Sequence, residues 1–114
     1  MRNVVALDPP KDVFVDETMK RYIVDIVNRT RGHGSVHLGA SPRGSIALMK
    51  AAQAYAYMFG RDYVLPDDIQ YLARFVLSHR IILKSEAKFE GISAEDLVNQ
   101  VVARVPVPVQ RLVK

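Results

Sequence analysis

Arg43 stands in the run Leu38-Gly39-Ala40-Ser41-Pro42-Arg43, a spacing that can hold an anion. Ser41 is suited to cap a helix, and Pro42 suits its first turn, where a missing N–H costs nothing. Arg43 then adds a cation where the aligned peptide dipoles already sum to roughly +0.5 of a charge. Like charges there cost a few tenths of a kcal/mol, so folding alone favours Asp or Glu at this position. A local rule broken at a well-marked helix start points to function. A helix N-terminus joined to a forked guanidinium suits a phosphate oxygen. The plain alternative is a surface arginine paired with a nearby acid.

Other candidates say less. His33 and His37 are four apart in a glycine-flanked loop with no evident third ligand, which reads as two loop histidines rather than a metal site. His79 sits at a helix end, where its charge suits the dipole. Tyr55, Tyr57, Tyr63 and Tyr71 are spaced as core or half-core residues rather than as a platform for stacking bases. Arg31 and Arg61 are secondary cations suited to contacts with another domain. No Gly-x-x-x-x-Gly-Lys-Ser/Thr, Gly-x-Ser-x-Gly or His-Glu-x-x-His occurs, and no apolar run ends in paired acids to hold magnesium. The chain by itself is therefore read as no enzyme, but as a part that completes a site built elsewhere.

Helices must position these residues. Asp16 is a cap for a helix running to about Arg31, in which Met19, Tyr22, Ile23, Ile26 and Val27 share one face. Gly32-His33-Gly34 ends it, and a loop continues to Ala40. A second helix runs from Pro42 to about Phe59 with Leu48, Met49, Ala52, Tyr55, Ala56 and Phe59 inward, and Gly60 stops it. A third spans Pro66 to about Ser78, with Ile69, Leu72, Ala73, Val76 and Leu77 inward and Asp67 and Asp68 in its first turn. Ile81-Ile82-Leu83 is a short strand or a buried extended stretch. Ser93 with Asp96 three residues on opens a fourth helix, whose stripe is Leu97, Val98, Val101, Val102 and Val105. Pro106 and Pro108 stop it. The expected fold is all-α, a small bundle of about four helices with at most one minor short strand pair.

The chain has 114 residues, 49% of them hydrophobic and 25% charged, which suits one domain and excludes a disordered one. It has no cysteine, hence no disulfide framework, and no apolar run approaches the roughly 20 residues of a membrane span. Met1 to Lys11 does not read as a signal peptide, so a cytoplasmic location and no membrane partner are expected. A net charge of +4 and a pI near 9.6 raise nucleic acid as a partner. The 16 Lys and Arg are dispersed, however, and Asp67, Asp68 and Gln70 are expected on the exposed side of the third helix, with Arg74 its only internal cation.

Four stretches in order resemble the C-terminal lid domain of MoxR-type AAA+ ATPases. They are Gly39-Ala40-Ser41-Pro42-Arg43, Lys50-Ala51-Ala52-Gln53-Ala54, Gly60 to Ile69, and Val76-Leu77-Ser78-His79-Arg80-Ile81. Tyr22-Ile23-Val24, Thr30-Arg31 and Val105-Pro106-Val107-Pro108 agree with it. The resemblance implies a lid at residues 16–114 and an extended lead-in at residues 1–15 from an ATPase core not present here. It implies a ring, usually hexameric, whose neighbouring subunits are partners, with ATP and Mg in the complete enzyme. It further implies chaperone-like remodelling of client proteins, including von Willebrand A-type ones. Arg43 would be the sensor arginine at the γ-phosphate, with Ser41 and Pro42 shaping the cofactor-binding turn. Leu65 stands where the family has Ser or Thr, which removes a helix cap at a cost of about 1 kcal/mol. Val4, Val5, Val13 and Val15 are expected to include surface left bare without the core. Two other readings remain: a basic helical domain that binds nucleic acid, and an adaptor acting on an ATPase ring in trans.

Overall fold

Asp16 sets the first helix as its residue type predicts. In the computed structural model, which describes residues 13–108, its carboxylate accepts the Met19 N–H at 2.8 Å. Helix α1 (Glu17–Arg31) then buries Met19, Tyr22, Ile23, Ile26, Val27 and Thr30 on one face. Strand β1 (Val36–Leu38) follows, then α2 (Pro42–Met58) and α3 (Pro66–Leu77). A 3₁₀ turn (Ser78–Arg80) leads to β2 (Ile82–Leu83), α4 (Ser85–Phe89) and α5 (Ala94–Arg104). The main packing is α2 on α3, α3 on α5 and α1 on α2. β1 and β2 pair antiparallel, Val36 opposite Leu83 and Leu38 opposite Ile82, with an irregularity between them.

The all-α bundle with one minor strand pair is what forms, with two additions. The loop expected between Gly34 and Ala40 contains β1, the partner that makes Ile82-Leu83 a strand. A fifth helix, α4, fits between β2 and α5. One turn long, it buries only Ala87 and so leaves no periodic stripe to read. On α2, Leu48, Ala52 and Ala56 are fully buried, whereas Phe59 is 62% exposed, because the helix ends at Met58 and Phe59 turns outward. Gly44 is buried where α2 meets the end of α3. A Cβ there would lie 3.3 Å from both Ala40 Cβ and Leu77 Cδ2.

Val13 and Val15 are buried, so of the four valines expected to include bare surface these two supply none. Phe14 donates its N–H to the Asp62 carbonyl at 2.7 Å and accepts from the Val64 N–H at 3.0 Å. Gln53 Nε2 donates to the Val13 carbonyl at 2.9 Å. Residues 13–15 are thus stitched into the lid by backbone pairing that no side-chain pattern announces. Val4 and Val5 lie outside the described residues.

Buried Tyr22 accepts from Gln70 Nε2 at 3.1 Å, and burial raises the pKa of its phenol above the ordinary 10.0. The folded state therefore favours the neutral phenol, so this contribution is whole below the unfolded value and is lost as pH rises through the folded one. Urea unfolding between about pH 9 and 11 is expected to show alkaline destabilisation that Tyr22→Phe reduces. Equal losses in both proteins would remove Tyr22 as a cause.

Candidate functional site

Arg43 is placed by a turn whose backbone is tied on every side. Ser41 takes extended angles and its Oγ accepts the Arg43 N–H at 3.2 Å, while its carbonyl accepts the Gly44 N–H at 2.8 Å. Pro42 has no N–H to offer. The first backbone donors of α2 are thus taken, leaving the Ser41 hydroxyl proton, the helix dipole and the Arg43 side chain to face an anion. Arg43 is exposed, and among the described residues no acid pairs with it. The reading as a surface ion pair therefore finds no partner.

The end of α1 holds this turn from behind. Thr30, fully buried, donates its hydroxyl to the Val27 carbonyl at 2.6 Å and accepts the Ala40 N–H at 3.0 Å. Arg31 Nε donates to the Ala40 carbonyl at 2.8 Å. Gly39 lies so close to α1 that a Cβ would sit 2.6 Å from Arg31 Cα and 2.7 Å from its N and Cγ. Gly39→Ala must push the turn off the helix, an overpacking expected to cost about 1–3 kcal/mol. Thermal unfolding checks this, and an unchanged melting temperature would show that the turn yields freely.

The secondary cations are both used internally. Arg31 holds Ala40 as described. Arg61 forks onto Asp68, NH1 to Oδ2 and NH2 to Oδ1 at 2.8 Å each, and NH1 also reaches the Tyr63 carbonyl at 3.1 Å. The hydrogen bonds from Asp68 are the main cause holding Arg61's pKa above its usual value. Asp68 Oδ2 also accepts the Leu65 N–H at 2.8 Å, so α3 regains from its first turn part of what Leu65 cannot supply as a cap. Asp68 is buried and Gln70 turns inward to Tyr22, which corrects the expectation that both lie on the exposed side of α3. Asp67 does lie there.

His33 Nδ1 accepts the Ser35 N–H at 3.0 Å and its Nε2 lies 3.2 Å from Gln100 Oε1, which uses both ring nitrogens in tying the loop to α5. His37 is exposed on β1, and His79 is exposed in the 3₁₀ turn. No group of three His, Asp or Glu that could hold a metal is found among the described residues. Two features escaped the sequence. Arg80, itself exposed, runs its stem past α2, its Cδ 3.6 Å from where a Cβ would be on Gly44, the residue after Arg43. Arg80 and Arg43 are 37 positions apart, so only the packing of α3 on α2 reveals it. Tyr55 meets Phe59 edge-on at 4.9 Å and stacks on Tyr71 at 5.5 Å, and Tyr71 meets Phe75 at 5.4 Å. Arg74 lies 4.8 Å over Phe75. Tyr55 and Tyr71 thus pack in a half-exposed row, whereas Tyr57 and Tyr63, also expected as core or half-core residues, are exposed and outside it.

The model of the AAA lid domain family matches residues 28–101, more than half of the chain. The chain belongs to the AAA lid domain family. Among its relatives, YeaC of Bacillus subtilis, whose name assigns it no activity, is 63% identical over 89% of this chain and 32% of its own length. Chaperone MoxR1 of Mycobacterium tuberculosis is 36% identical over 83% of this chain and 28% of its own. A crystal structure from Cytophaga hutchinsonii, assigned as an ATPase, superposes with a TM-score of 0.81 at 36% identity, covering 86% of this chain and 32% of that one. The resemblance to MoxR-type lids is thereby established. The lid spans about a third of the length of these relatives. No helix among its described residues is long and apolar enough to cross a membrane.

Proposed function

We propose that this lid is the sensor module of a MoxR-type AAA+ ATPase and that Arg43 contacts the γ-phosphate of ATP held by the core. The observation that carries this reading is Arg43 itself: exposed, unpaired among the described residues, and rooted at a capped helix start that electrostatics would give to an acid. The residues present fit one part of a nucleotide site. They offer a guanidinium and the Ser41 hydroxyl to a phosphate oxygen, and no cradle of free backbone N–H groups. Magnesium-bound ATP supplies the transferable phosphoryl group, and the core must bring the rest of the site. Arg43 stabilises charge on that group through charge-assisted hydrogen bonds and ties its state to the angle between lid and core.

In this reading the parent enzyme works as a ring, usually of six subunits, in the cytoplasm. It remodels client proteins, von Willebrand A-type ones among them. The name of the MoxR1 relative as a chaperone supports that part. Titration of these 114 residues with MgATP tests the division of labour. Binding at least about 100-fold weaker than that of the full-length protein, with no hydrolysis, is expected from a fragment that keeps one phosphate contact of many. Tight magnesium-dependent binding by the lid alone would overturn the proposal.

A further inference from the structure

We infer that Thr30 and Arg31 are positioning residues for Arg43: by holding the N–H and the carbonyl of Ala40, on the two successive peptides that lead into the turn, the last turn of α1 aims the guanidinium. The inference rests on the reading of Arg43 as the phosphate contact. Thr30 and Arg31 are consecutive, yet one takes the Ala40 N–H and the other takes its carbonyl. The two peptides on either side of Ala40, just before the Ser41 cap, are therefore held by one helix, the first at its N–H and the second at its carbonyl. Gly39 brings the first of them within van der Waals distance of Arg31, which a side chain at residue 39 would prevent.

Thr30 is one of two buried polar or charged side chains among the described residues, with Asp68 the other. Its hydroxyl has both a donor and an acceptor role filled, which a valine of the same shape could not do. A buried hydroxyl serving packing alone would have been replaceable by Val at little cost, since it is the bond to Ala40 that reaches across to the sensor turn. Three residues beyond Ala40, the Arg43 N–H is fixed by Ser41. Tilting these peptides moves the cap and with it the root of Arg43. Misplacement of a charge-stabilising group by about 1 Å costs up to about 100-fold in rate. Through this clamp, rotation of α1 and aim of the sensor become one motion.

The test uses the full-length ATPase carrying this lid, with Arg31→Ala, Thr30→Val, Thr30→Ser and Arg43→Ala, alone and combined. Hydrogen exchange of the nucleotide-free proteins is expected to show faster exchange across residues 39–44 in Arg31→Ala and Thr30→Val, with Thr30→Ser close to the parent protein. Both clamp-breaking variants are expected to lower kcat about 10- to 100-fold. Combined with Arg43→Ala they should add almost nothing, because they act through the same group. Arg31 is exposed, so its variant keeps the test open if Thr30→Val unfolds. A full additional loss in the double variants, unchanged exchange across residues 39–44, or normal kcat in Arg31→Ala would each overturn the inference while Arg43 kept its role. Normal turnover in Arg43→Ala would instead remove the reading beneath it.

Discussion

On the proposed reading of Arg43 as the phosphate contact, Arg43→Ala in the full-length protein is expected to lower ATP turnover by about 10²- to 10³-fold, the range for removing one preorganised donor from a site where charge develops. The lid should stay folded. Arg43 is exposed and makes no hydrogen bond through its side chain among the described residues, so its removal costs no packing. Relief of the clash with the α2 dipole even favours the folded state by a few tenths of a kcal/mol. Loss of rate without loss of melting temperature is therefore the signature that separates a chemical role from a structural one. Lysine at position 43 should recover only part of the rate, since an ammonium lacks the planar fork. Steady-state hydrolysis beside thermal unfolding of the same preparations makes the check. Turnover within about twofold of the parent would end the sensor assignment.

Asp68→Ala is expected to cost about 3–5 kcal/mol of folding stability. The Asp68 side chain is 3% exposed and its partner Arg61 is 21% exposed, so water screens the pair poorly. Removing the carboxylate deprives a half-buried guanidinium of two short hydrogen bonds and leaves the Leu65 N–H without its acceptor. The damage extends along the chain. Arg61 also holds the Tyr63 carbonyl, and the neighbouring residues Asp62 and Val64 pair with Phe14. Asp68→Asn keeps an acceptor for Leu65 and should lose less. Urea unfolding at neutral pH decides it. A loss below about 1 kcal/mol would mean the pair behaves as an ordinary surface ion pair.

The two predictions bear on different parts of the same lid. One concerns a cation without a partner among the described residues, the other a cation whose partner is supplied. Arg43 lies in the first turn of α2, and Arg61 lies in the loop that leads to α3. The resemblance implied that Arg61 contacts another domain, whereas its partner is Asp68, seven residues on. The i, i+3 relation between Leu65 and Asp68 carried a signal that the acid caps the helix from within. That it also turns inward to meet Arg61 follows from how the loop folds back over α3.

Local chemistry determined the helices that matter here. Asp16, Ser41 and Ser93 begin their helices at the expected residues because capping depends on a side chain and backbone within three positions. The stripes of α1 and α5 were equally legible, since burial on one side forces a 3.6-residue period. What depended on approach between distant segments was decided only by the tertiary structure. The pairing of β1 with β2, the burial of Val13 and Val15, and the arrival of the Arg80 stem beside Gly44 all belong to that class. So does the clamp on Ala40, where two adjacent side chains and a glycine make a single joint only after α1 and α2 have packed. Sequence by itself pointed to Arg43 as the proposed phosphate contact; packing decided what holds that residue.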